Sequence, residues 1–90
     1  MIYFIRSGDY VKIGRTIDPK KRTSAIRCHC PTGATLLLTL DGDHREERRW
    51  HRHFAAYHHR AEWFHYTGNL ARFVCVSTWM GELITALEQA

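Results

Sequence analysis

No unbroken apolar run in this 90-residue sequence approaches the length of about 20 residues that a bilayer span requires. The N-terminus lacks the basic stretch and small-residue cleavage site of a secretion signal, since Met1 leads straight into β-forming residues. Cysteine is scarce and odd in number. Cys28, Cys30 and Cys75 cannot make a disulfide framework, so reduced thiols are expected. Cys28, His29 and Cys30 are too closely spaced for a structural zinc site and lack a second ligand pair, so Cys30 and Cys75 read better as small buried residues. Internal repeats, low-complexity segments and linkers are also missing. Together these absences predict a soluble, cytoplasmic protein with no membrane contact, built as a single domain over residues 1–90.

What the sequence does contain is globular in character: 44% apolar and 24% charged residues, with eleven aromatic side chains to fill a small core. A chain of this size hides only about 60–65% of its unfolded surface, so modest stability is expected. Thirteen Lys and Arg against nine Asp and Glu give a net charge of +4, and seven histidines add to it below neutral pH. That balance moderately favours a polyanionic partner.

Residues 1–14, MIYFIRSGDYVKIG, hold two β-forming runs, Ile2 to Arg6 and Tyr10 to Ile13, around a Ser7-Gly8-Asp9 cluster. This is hairpin composition. A turn at Ser7 and Gly8 would pair Phe4 with Val11 and Tyr3 with Lys12. Ile2, Phe4, Val11 and Ile13 would then enter a core, leaving a phenol beside an ammonium on the opposite face. A cation in that position favours the phenolate. An ordinary amphipathic hairpin accounts for the same residues.

Asp18 followed by Pro19 is a helix start, and a helix from Pro19 to about Cys28 follows. Pro19, Arg22 and Ile26 share its packed side, so Arg22 must find an anion or reach solvent along its stem. Ala34 to Leu40 reads as a buried central strand. Asp43 and Glu46 are spaced like a capping box before a second helix, about His44 to His59. On it Glu47, Trp50, His51, Phe54 and His58 form one stripe. A carboxylate on an aromatic stripe needs a cation, a donor or a metal, and an internal pair between Glu47 and Arg22 satisfies that need as well as a functional role does. Residues Glu62 to Tyr66 read as a short aromatic strand with Trp63 and Phe64 in the core. A last helical segment over 68–90 carries Leu70, Phe73, Val74, Met80, Leu83, Ile84 and Leu87, with a break near Ser77 to Gly81. The order predicts an α/β (α+β) sandwich, its mixed or antiparallel sheet flanked by helices.

The hairpin, Arg22 and Glu47 together resemble the GIY-YIG nuclease superfamily. Ile2 and Tyr3 match the end of its first tripeptide, Ile13 and Gly14 the end of its second. Arg22 stands in the following helix, and Glu47 opens the pattern E-x-x-W-H, ahead of Glu62-Trp63-Phe64. The ordered set is similar to the short branch found in phage and mobile-element proteins. Met1 replaces the first glycine, Lys12 the second tyrosine, and Ile26 a helix histidine, while Asn69 is the candidate for the late asparagine. The resemblance implies a metal-dependent DNA endonuclease. In it Glu47 holds one Mg²⁺ or Mn²⁺, Tyr3 serves as general base with Lys12 beside it, Arg22 clamps the phosphate, and His51 relays a proton or orients Glu47. Arg15, Lys20, Lys21 and Arg27 would hold the DNA backbone. The alternatives are an inactive DNA-binding module of the same fold and a protein-interaction domain. A homodimer or a partner is expected to supply specificity.

Overall fold

The computed structural model describes residues 1–89. Its elements are β1 (Ile2–Ser7), β2 (Tyr10–Arg15), α1 (Pro19–His29), β3 (Thr35–Leu40), α2 (His44–His53), a 3-10 turn (Ala55–Tyr57), β4 (His58–Arg60), β5 (Trp63–His65) and α3 (Gly68–Gln89). All strand pairs are antiparallel, in the order β3-β1-β2-β5-β4. The expected α+β sandwich is therefore present, with a different strand arrangement. β3 lies at the edge and is only partly buried, because the β1–β2 hairpin takes the middle of the sheet.

Alternation along β1 and β2 gives the sheet two apolar faces. Ile2, Phe4, Val11 and Ile13 point to one, where Phe54, Phe64, Leu70 and Val74 complete the main core. α2 and α3 cover this side, with Trp50 edge-on to Phe4 at 6.1 Å. Fully burying a side chain such as Phe4 contributes about 1.5–3 kcal/mol. Tyr3 and Ile5 point the other way and meet Ile26 of α1, Ala34, Leu36 and Trp63.

The hairpin turns one residue later than expected. Gly8 has φ 60° and Asp9 follows it in the loop, the arrangement of a two-residue turn that needs glycine first. Ser7 instead ends β1, half-sealed by a 2.7 Å hydroxyl bond to Thr32. Every pair moves by two positions as a result: Tyr3 faces Gly14, and Lys12 faces Ile5. A shift of two preserves the faces, so the core assignment holds although the pairs change.

Asp18 caps α1, accepting from the Lys21 amide at 3.1 Å, and Asp43 caps α2, accepting from Arg45 and Glu46 at 2.9 and 3.3 Å. α2 is shorter than its periodicity suggests. The chain leaves it at Phe54, which is buried in the main core, and residues 58–60 become a strand, so His58 does not belong to the Glu47 stripe. α3 shows no break at Ser77 to Gly81. Leu70 and Val74 bury, whereas Met80, Leu83 and Leu87 are exposed, and the Ile84 side chain and Ala90 lie outside the described residues. The most apolar 18-residue window of α3 has a mean hydropathy of 1.3, enough to cross a membrane by length and composition, although polar residues interrupt every run. Cys30 is half-buried and Cys75 exposed, not buried as expected; all three thiols are free.

Candidate functional site

β5 pairs with β2 only at Tyr10, Val11 and Lys12, so the far end of β2 has an open side. Two elements reach that gap. From the β4–β5 turn, where Ala61 takes φ 49°, the Glu62 carbonyl accepts the Ile13 amide at 3.0 Å. From α2, His51 Nε2 meets the Ile13 carbonyl at 2.7 Å. A carbonyl only accepts, so Nε2 carries a proton and donates it. His51 also packs on Phe64, ring centroids 5.3 Å apart. It thus anchors α2 to β2, and does not bond Glu47.

At the same end the Tyr3 ring lies across Gly14. A β-carbon at Gly14 would collide with the Tyr3 hydroxyl and come within 2.9 Å of Glu62 Oε2. The glycine is needed here for close approach. Tyr3 is 2% exposed. None of the sealed side-chain oxygens or nitrogens among the described residues lacks a hydrogen-bond partner, and the Tyr3 hydroxyl has none, so that oxygen still opens to solvent.

Three charges act on this hydroxyl. Burial, the nearby Glu62 and, more weakly, Glu47 raise its pKa from 10.0 to about 12, with Arg22 alone opposing them. Arg22 and Glu47 thus lie close enough to Tyr3 for their charges to act on its hydroxyl. Glu62 joins them; its signal in the sequence is the Glu62-Trp63-Phe64 run of the family resemblance, which carries no site role for it. Lys12 does not act on Tyr3. Its ammonium sits 5.9 Å over the Trp63 ring, and the expected easing of Tyr3 ionisation is reversed. The shift in hairpin register takes Lys12 away from Tyr3, and burial, followed by Glu62, raises the pKa.

The expected internal pair of Glu47 and Arg22 is also absent. Among the described residues the one ion pair joins Arg49 to Glu46, and neither the Glu47 carboxylate nor the Arg22 guanidinium has a hydrogen bond. Arg22 is exposed and Glu47 half-buried. Of the expected backbone contacts, Arg15, Lys20 and Lys21 are exposed without side-chain partners, but Arg27 donates twice to the Ala34 carbonyl, at 3.3 and 3.0 Å, and so ties α1 to the start of β3.

No group of three or more His, Cys, Asp or Glu among the described residues forms a closed metal cage. Mg²⁺ is commonly held through one or two carboxylates while keeping several waters, and Glu47 is a half-buried carboxylate without an ion pair or hydrogen bond.

The family model described as the T5orf172 domain matches residues 1–80. That family is related to phage endonuclease-type domains and is compatible with a nuclease-like or DNA-binding role. No curated protein and no solved structure matches the chain.

Proposed function

The chain belongs to the T5orf172 domain family, and from that premise we propose that it is a metal-dependent DNA endonuclease of the GIY-YIG type. The observation that carries this reading is the meeting of Tyr3, Arg22, Glu47 and Glu62 at the open end of β2, a solvent-touching phenol among three unpaired charges.

Glu47 would hold the divalent cation, which when bound supplies charge neutralisation at a scissile phosphate. Arg22, exposed and planar, binds a phosphate oxygen and steadies the charge that grows on it. Tyr3 Oη would take the proton of the attacking water once its own proton has been given up to solvent, with the Glu62 carboxylate at the same side of Gly14. The water oxygen bonds to phosphorus as the bond to the leaving sugar oxygen breaks, and that oxygen takes a proton from solvent. His51 keeps α2, and so Glu47, in place through the Ile13 carbonyl. Arg15, Lys20 and Lys21 contact the DNA backbone without reading its sequence.

The tightly held Tyr3 proton gives the binding-only module its best support, and the two readings separate in one assay. Supercoiled plasmid is incubated with wild type, Glu47→Gln and Tyr3→Phe, with and without Mg²⁺ or Mn²⁺. The expected outcome is metal-dependent nicking, reduced about 10²- to 10⁴-fold in Tyr3→Phe and lost in Glu47→Gln. Equal cutting by wild type and Glu47→Gln removes the metal site; salt-sensitive binding with no cutting by wild type assigns the chain to the DNA-binding module.

A further inference from the structure

A second cluster lies on the same face of the sheet as Tyr3, at the opposite end of the hairpin. Strand pairing puts Tyr10 beside His65 and Lys12 beside Trp63. His59 completes it: its ring stacks on Tyr10 at 4.6 Å with 29° between planes, and meets His65 at 5.1 Å. Tyr10 and His65 are 5.2 Å apart. His59, Arg60 and His65 are exposed, and Tyr10 and Trp63 are half-exposed. Three rings packed together at a surface contribute little to a core. They do present flat π-faces and ring N–H groups to whatever enters from solvent.

Beside them is a groove of about 580 Å³, lined by Tyr10, Trp63, His59, Arg60 and the hydroxyl-bearing Ser7 and Thr32. Its size is that of a small-molecule site. Its chemistry is selective. Asp9 also lines it, so a run of phosphates would meet a carboxylate there, whereas a base offers edges for Asp9, Thr32 and Arg60 and a face for the rings. Lys12, held over Trp63, stands between this groove and the Tyr3 end. From Gly14 to Tyr10 is four residues of strand, about 13 Å, a span of a few nucleotides.

We propose that Tyr10, His59 and Trp63 form a stacking subsite for an unpaired nucleotide of the DNA strand whose phosphate lies at Tyr3. The inference rests on the nuclease reading for its substrate and refines it. The preferred DNA carries a single-stranded segment next to the cut, and Lys12, which replaces a tyrosine of the resembling family, belongs to the path between the two sites.

Binding is measured by fluorescence anisotropy in chelator, so that no cutting intervenes. The probes are a blunt duplex, the same duplex with a single-stranded oligothymidylate extension, and that extension made abasic. Wild type is expected to prefer the thymidine extension over the blunt duplex by about 5- to 150-fold, the weight of one stacked base, and to lose the preference with the abasic extension. Tyr10→Leu and, independently, the exposed His59→Ala should each bring the ratio of extended to blunt affinity toward one, with far-UV circular dichroism confirming the fold. Equal wild-type affinity for extended and blunt duplex overturns the subsite, as does a preference that survives both substitutions or the abasic extension. Extension preference without metal-dependent nicking keeps the subsite and removes the nuclease reading; nicking without the preference does the converse.

Discussion

Gly14 carries a constraint that its own backbone does not reveal. Its φ is unremarkable, yet any side chain there would overlap the Tyr3 hydroxyl and ring. Gly14→Ala should therefore lose about 1–3 kcal/mol of stability, as overpacking does, with a drop in denaturation midpoint. Tyr3→Phe removes an oxygen that has no hydrogen bond, so it should change stability by no more than about 0.5 kcal/mol while slowing nicking about 10²- to 10⁴-fold. Alkali provides a second check on Tyr3. Its pKa is raised in the folded state to about 12, so the unfolded chain loses this proton first, and stability falls as pH rises from about 10 through 12. Tyr3→Phe should lose less stability than wild type across that interval in alkaline unfolding curves.

At the scale of elements, α2 governs the site because Glu47 sits in its first turn and His51 in its last. Asp43 holds the start of that helix. The Glu46 and Arg45 amides, in that order of strength, lower its pKa below the usual carboxylate range. A lowered folded pKa gives stability that is present above the unfolded value and lost as pH falls through the folded one. Acid should fray α2 from its N-terminus. Asp43→Asn, which caps without titrating, should show a weaker acid loss of helical circular dichroism than wild type. The two caps were readable because capping chemistry is local. The end of α2 was not: residues 54–59 keep a helical apolar period, but the burial of Phe54 and the pairing of β4 with β5 turn the chain away.

For the whole molecule, the net charge of +4 is distributed so that Arg15, Lys20 and Lys21 are exposed and unpaired near the Tyr3 end. Each phosphate deprived of its cationic side chain should lower the steepness of log affinity against log salt by roughly 0.9 for duplex DNA. Lys20→Ala with Lys21→Ala is expected to reduce that slope by about two, equally for unrelated DNA sequences. Arg27→Ala should instead act on stability, because its guanidinium is bonded to the Ala34 carbonyl.

The amino-acid order by itself determined the hairpin, its two faces and both helix caps, each of which follows from short-range chemistry or from residue spacing on a strand or helix; the grouping of Tyr3, Arg22 and Glu47 is what the family resemblance implies. Tertiary structure alone decided which residue faces Tyr3. A glycine at the first turn position moved the register by two, which placed Gly14 under the phenol and took Lys12 to Trp63. It also brought Glu62 and the His59 ring across the β4–β5 hairpin, because that pairing joins residues whose proximity no local pattern encodes. The Tyr3 hydroxyl is consequently a tightly protonated group facing a carboxylate, and no longer one eased by a neighbouring ammonium.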